Sequence, residues 1–126
     1  MTCLTFFLLF KRSLERTLPR EFAERWQHSK PSSSVAREQM QALIGVLCDM
    51  TPPLSAPVLV IVDSLDEVLR ERNRKGSILS LVCLLLQDAP PWIRLVLTSR
   101  PDPDVQTTFL RLVGWFGLAF FFFFFF

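Results

Sequence analysis

The 126-residue sequence predicts an α/β fold, parallel strands with flanking helices, on three observations. Val58-Leu59-Val60-Ile61-Val62 is an unbroken apolar and mostly β-branched run, the pattern of a strand covered on both faces in a parallel sheet. Ile93-Arg94-Leu95-Val96-Leu97-Thr98 reads as a second strand. Between them, Ser77 to Gln87 is apolar almost all round and reads as a buried helix. The spacing suits a right-handed parallel crossover.

The elements follow in order along the chain. Phe10, Leu14, Leu18, Phe22 and Trp26 recur every four residues, which predicts helical turns with one apolar face, and Pro19 fits best at the start of a second helix. Ser29 to Ser34 is a polar connector. Ala36, Met40, Leu43, Ile44 and Leu47 then share one face of a helix from about Val35 to Asp49, with Ser34 available to cap its first turn. Three prolines between Thr51 and Pro57 end it. The first strand stops at Asp63, and Pro90-Pro91 separates the buried helix from the second strand. After Pro101-Asp102-Pro103, Asp104 is placed to cap a last helix carrying Val105, Phe109, Leu112 and Val113.

Composition narrows the function classes. With 14 Lys plus Arg against 12 Asp plus Glu, the net charge of +2 is too small and dispersed for a nucleic-acid surface. Cys3, Cys48 and Cys83 lie far apart, and His28 is the single histidine, so the spacing indicates neither a zinc site nor a disulfide framework. A reducing, cytoplasmic setting is the expectation. The apolar stretch Leu4 to Phe10 is followed, not preceded, by Lys11-Arg12, the reverse of a secretory signal. Leu112 to Phe126 is uncharged and apolar but short of the ~20 residues that cross a bilayer. Its final run, Phe120 to Phe126, reads as low complexity without an evolved structural role.

Chemistry concentrates at the strand ends. Parallel strands bring their C-terminal ends to one edge, so Asp63, with Asp66 and Glu67 just beyond it, should meet Thr98-Ser99-Arg100, on the edge where open α/β sheets bind ligands. A carboxylate at the end of an apolar strand suits Mg²⁺, which takes oxygen ligands and lets a triphosphate complete its octahedron. Asp63 is that metal candidate. Glu67, or Asp66, is placed to orient or deprotonate a water attacking a terminal phosphate. Arg100, with Ser99 beside it, offers a planar fork of donors to a phosphate. Blander readings stand beside these: Ser64-x-x-Glu67 as a helix capping box, and Arg100 as a solvated residue or an ion pair with Asp63 or Asp66. Arg70, Arg72, Arg74 and Lys75 read as a solvated charge run.

Val58 to Glu67, "VLVIVDSLDE", resembles the extended Walker B strand of the NACHT group of STAND nucleoside triphosphatases, and Ile93 to Val105, "IRLVLTSRPDPDV", resembles the sensor strand that follows it. The similarity is greatest to the nephrocystin-type proteins and spans about Val35 to Leu112. The resemblance implies a partial P-loop NTPase fold and a nucleotide-dependent signalling or scaffolding switch. In it Asp63 would assist Mg²⁺, Asp66 and Glu67 would serve hydrolysis of ATP or GTP, and Arg100 and Ser99 would contact the nucleotide. It also implies protein partners engaged through repeat or effector domains.

The departure from that pattern matters as much. The phosphate cradle Gly-x-x-x-x-Gly-Lys-Ser/Thr does not occur in these 126 residues. In the resembled fold its strand flanks the sensor strand, so Ile93 to Thr98 should present a bare edge open to self-association. The expected organisation is a helical segment and linker over 1–34, a partial NTPase domain over 35–112 and a Phe-rich tail over 113–126. Tight ATP binding and hydrolysis by this chain alone are not expected. The competing readings are a noncatalytic α/β interaction module, a receiver-like domain with Asp63 as phosphoacceptor and Thr98 as its switch hydroxyl, and a tail-anchored peptide. The receiver reading lacks the additional acidic pair and lysine its chemistry needs.

Overall fold

A computed structural model describes residues 2–52, 55–70, 75–100, 102, 103, 107, 123 and 124. Helix α1 spans Cys3–Thr17, α2 Arg20–Ser29 and α3 Ala36–Asp49; strand β1 spans Val58–Val62, α4 Leu65–Arg70, α5 Lys75–Asp88, β2 Ile93–Thr98 and β3 Phe123–Phe124. The mixed α/β class predicted from the sequence is the one observed. The four-residue apolar repeat of the N-terminal segment is the buried stripe of α1 and α2: Phe10, Leu14, Leu18, Phe22 and Trp26 are all buried, and the Phe7 ring packs 5.9 Å from that of Trp26. Pro19 sits at the N-cap of α2, where its lack of an N–H costs nothing. These two helices join α3, α5 and the sheet in one hydrophobic core.

The start of α3 differs from expectation. Val35, not Ser34, is the N-cap residue, and no side chain caps the first turn. Ser33 does the local work instead: its Oγ accepts the Val35 N–H at 3.1 Å, and its carbonyl accepts Gln39 Nε2. Helix α5 begins two residues before Ser77 and buries Ile78, Leu81, Val82, Leu84 and Leu85. The last helix expected from Asp104 onward lies outside the described residues.

β1 and β2 pair in parallel, Val58 opposite Ile93 through Val62 opposite Leu97. This register puts Val58, Val60 and Val62 on the same face as Ile93, Leu95 and Leu97, and that face packs into the helical core. The opposite face is where the sequence misleads. Leu59 and Ile61 are 59% and 66% exposed, so β1 is covered on one face and not on both. Helices α1, α3 and α5 contact one another and share one core with the buried sheet face, a two-layer arrangement among the described residues. The outer edge expected to be bare on β2 is partly occupied, since β3 runs parallel along Leu97 and Thr98. The strand order is β1-β2-β3, so β1 bounds the described sheet on the other side. Beside it, α1 and β1 frame an open apolar groove of about 400 Å³ lined by Phe6, Leu9 and Phe10.

Candidate functional site

Glu67, the acidic end of the turn, is the fifth residue after Val62, and the parallel register fixes what these residues meet. Because Val62 stands opposite Leu97, the next residues, Asp63 and Thr98, are neighbours at the C-terminal edge. The Thr98 hydroxyl donates to Asp63 Oδ1 and accepts the Ser64 N–H at 2.8 Å. One hydroxyl thereby orients the carboxylate and ties the two strand ends together. Ser64 holds φ at +54°, in the left-handed region that costs a non-glycine residue about 1 kcal/mol. That conformation turns its carbonyl onto the Glu67 N–H at 3.0 Å and starts α4. The capping-box alternative is not what forms: the Ser64 amide is spent on Thr98, and the Glu67 carboxylate reaches Arg100 instead.

Asp66, on the first turn of α4, is 2% exposed. Its Oδ1 accepts the Arg100 backbone N–H at 3.0 Å and its Oδ2 accepts Arg100 Nε at 2.9 Å. The Ser99 hydroxyl, also buried, lies 3.5 Å from Asp66 Oδ1 and donates to the nearer Arg100 carbonyl at 2.8 Å. Glu67 Oε1 stands 3.4 Å from Arg100 Nη2. Together Asp63, Ser64, Asp66, Glu67, Thr98, Ser99 and Arg100 line a cleft of about 270 Å³.

The electrostatics separate the two acids of α4. The Arg100 backbone N–H is the main cause holding the Asp66 carboxyl below its ordinary value of 3.8; burial opposes it, and the guanidinium adds to the lowering. A carboxyl whose folded value is depressed contributes stability above the unfolded value and loses it as pH falls through the folded one. We therefore expect a stability loss that begins near pH 3.8 and grows below it. Urea midpoints measured against pH should show this acid limb, and Asp66→Asn should flatten it. The Cys83 thiol is pushed up by burial, and that of Cys48 by burial first and then by Asp49 and Asp88, so neither resembles an activated nucleophile.

All five residues singled out from the sequence meet at this cleft, but with unequal access. Asp63, Glu67 and Arg100 reach its surface, whereas Asp66 and Ser99 are buried behind it. Thr98, expected at this edge from the sequence but given no part in binding phosphate there, is a further member of the cleft. The signal for it was there, since two parallel strands ending in step must place the residue after Leu97 beside the residue after Val62.

The donor chemistry suits a hard cation in part. Asp63 and Thr98 supply oxygens, as Mg²⁺ requires. Among the described residues no group of three or more His, Cys, Asp or Glu side chains is arranged to hold a metal by itself, so an ion here would draw further ligands from water and phosphate oxygens. No helix among the described residues is long and apolar enough to cross a membrane. Residues 2–100 match the family model described as nephrocystin 3, N-terminal. No curated protein and no solved structure matches the chain.

Proposed function

The chain belongs to the nephrocystin 3 N-terminal family, and on that premise we propose that it is part of a nucleotide-dependent switch domain of the NACHT type, whose phosphate-facing edge is the Asp63–Arg100 cleft. The observation that carries this reading is the delivery of a carboxylate and a guanidinium to one rim by two adjacent parallel strands. Asp63, oriented by Thr98, would hold Mg²⁺ through oxygen. When bound, Mg²⁺ supplies charge neutralisation for the phosphate oxygens of ATP or GTP. Arg100 offers its donors to the terminal phosphate, and Glu67 is the exposed carboxylate able to orient a water. Asp66 serves through Arg100 and not on the water. Protein partners, a cytoplasmic location and the exchange of nucleotide for signal belong to the same proposal.

The chain lacks the glycine-rich cradle whose amides and lysine carry most of a triphosphate's binding energy. Affinity for inorganic tripolyphosphate with Mg²⁺ is accordingly expected in the millimolar range, with amide shifts confined to Asp63, Thr98 and Arg100, and with Asp63→Asn removing the Mg²⁺ dependence. Micromolar ATP binding would contradict the incomplete-site reading. Absence of any shift at those three residues would favour the second reading, a noncatalytic interaction module. The closed set of bonds from Asp66 to Ser99 and Arg100 is what that alternative would be built on.

A further inference from the structure

Arg100 divides its donors between two carboxylates of very different character. Asp66 is 2% exposed and takes both the backbone N–H and Nε, the latter at 2.9 Å, within the range of a charge-assisted bond. Glu67 is 63% exposed, and its Oε1 sits 3.4 Å from Nη2. The first contact fixes the guanidinium plane. The second is a long contact between exposed groups, of the kind that contributes little.

The planar fork gives this division a consequence. With Nε committed to Asp66, the pair of donors left for a phosphate is the far end of the guanidinium, Nη1 with Nη2, and Glu67 occupies half of it. We propose that Glu67 is a displaceable intramolecular stand-in for phosphate: an oxyanion entering the cleft takes Arg100 Nη2 from Glu67, while Asp66 keeps the guanidinium in place. This deepens the phosphate-site reading and rests on it. The exchange couples two events that are otherwise separate, since the arrival of the anion on Arg100 releases Glu67 Oε1, the oxygen in contact with Nη2, to hold a water. Asp66 is in these terms a positioning residue, and Glu67 is both latch and base.

The test is a titration of the chain with inorganic pyrophosphate in the absence of Mg²⁺, read on the Arg100 Nε–Hε resonance. Glu67→Gln removes the competing charge, and Glu67→Asp keeps the charge but shortens the reach to Nη2. Both are expected to tighten pyrophosphate binding about two- to fivefold, the factor equivalent to an exposed ion pair. Glu67 is largely exposed, so both variants should fold. If Glu67→Gln tightens binding while Glu67→Asp matches the unaltered chain, charge alone acts and the exchange is overturned. It is likewise overturned if neither substitution tightens binding, although the phosphate site then stands. A flat titration in all three proteins overturns the site itself along with the exchange.

Discussion

Phe22→Ala is expected to destabilise the chain by about 3–5 kcal/mol, the usual cost of emptying a fully buried phenylalanine position. Phe22 has no exposed surface, and it lies on α2, which packs against α1 and α3. Phe22 belongs to the same buried core as Phe7 and Trp26, whose rings pack 5.9 Å apart, so the cavity left by its ring would open inside a region already filled by aromatic side chains. Since domains of this size are stable by about 5–15 kcal/mol, a single such truncation removes a large share of the total. Urea unfolding followed by tryptophan fluorescence would measure it. A loss under about 1 kcal/mol would mean that the two N-terminal helices contribute little to the stability of the rest.

The second large effect is expected at Asp66→Asn, at about 2–3 kcal/mol, the cost of disrupting hydrogen bonds to a buried charge. An amide retains one acceptor for the Arg100 backbone N–H. Its NH₂ group cannot accept from Nε, which leaves donor against donor at a site that is closed to water on the Asp66 side. Glu67→Gln, on the same helix and touching the same guanidinium, should cost under 1 kcal/mol because both of its partners are exposed. Chemical denaturation of the two variants side by side makes the comparison. Equal small losses would show that Asp66 does not anchor Arg100.

Much of this architecture can be read from the residues, and the exceptions have physical causes. The strands, the crossover helix and the placing of Asp63 and Arg100 on one cleft follow from apolar runs, turn residues and the rule that parallel strands end on one edge. What could not be read is which of two carboxylates three and four residues past Asp63 turns inward. That depends on the left-handed backbone at Ser64, which sets the phase of α4, and nothing in the residue type of a serine announces it. The one-sided cover of β1 was illegible for a different reason: Val-Leu-Val-Ile-Val is equally apolar at inward and outward positions, so its pattern reports two buried faces whichever one the helices choose.

That one-sided cover decides how the chain answers to its solvent. The side chains of Leu59 and Ile61 stay mostly wet in the folded state, so they add little to the free energy that holds the chain together. They do enlarge the hydrocarbon area that the folded molecule presents to water. Sulfate or phosphate salts, which raise the cost of wet hydrocarbon, would therefore drive molecules to stick through this sheet face at concentrations where the core only becomes firmer. Salting-out and salt-stabilisation, usually a single trend, are separated here onto opposite sides of one strand.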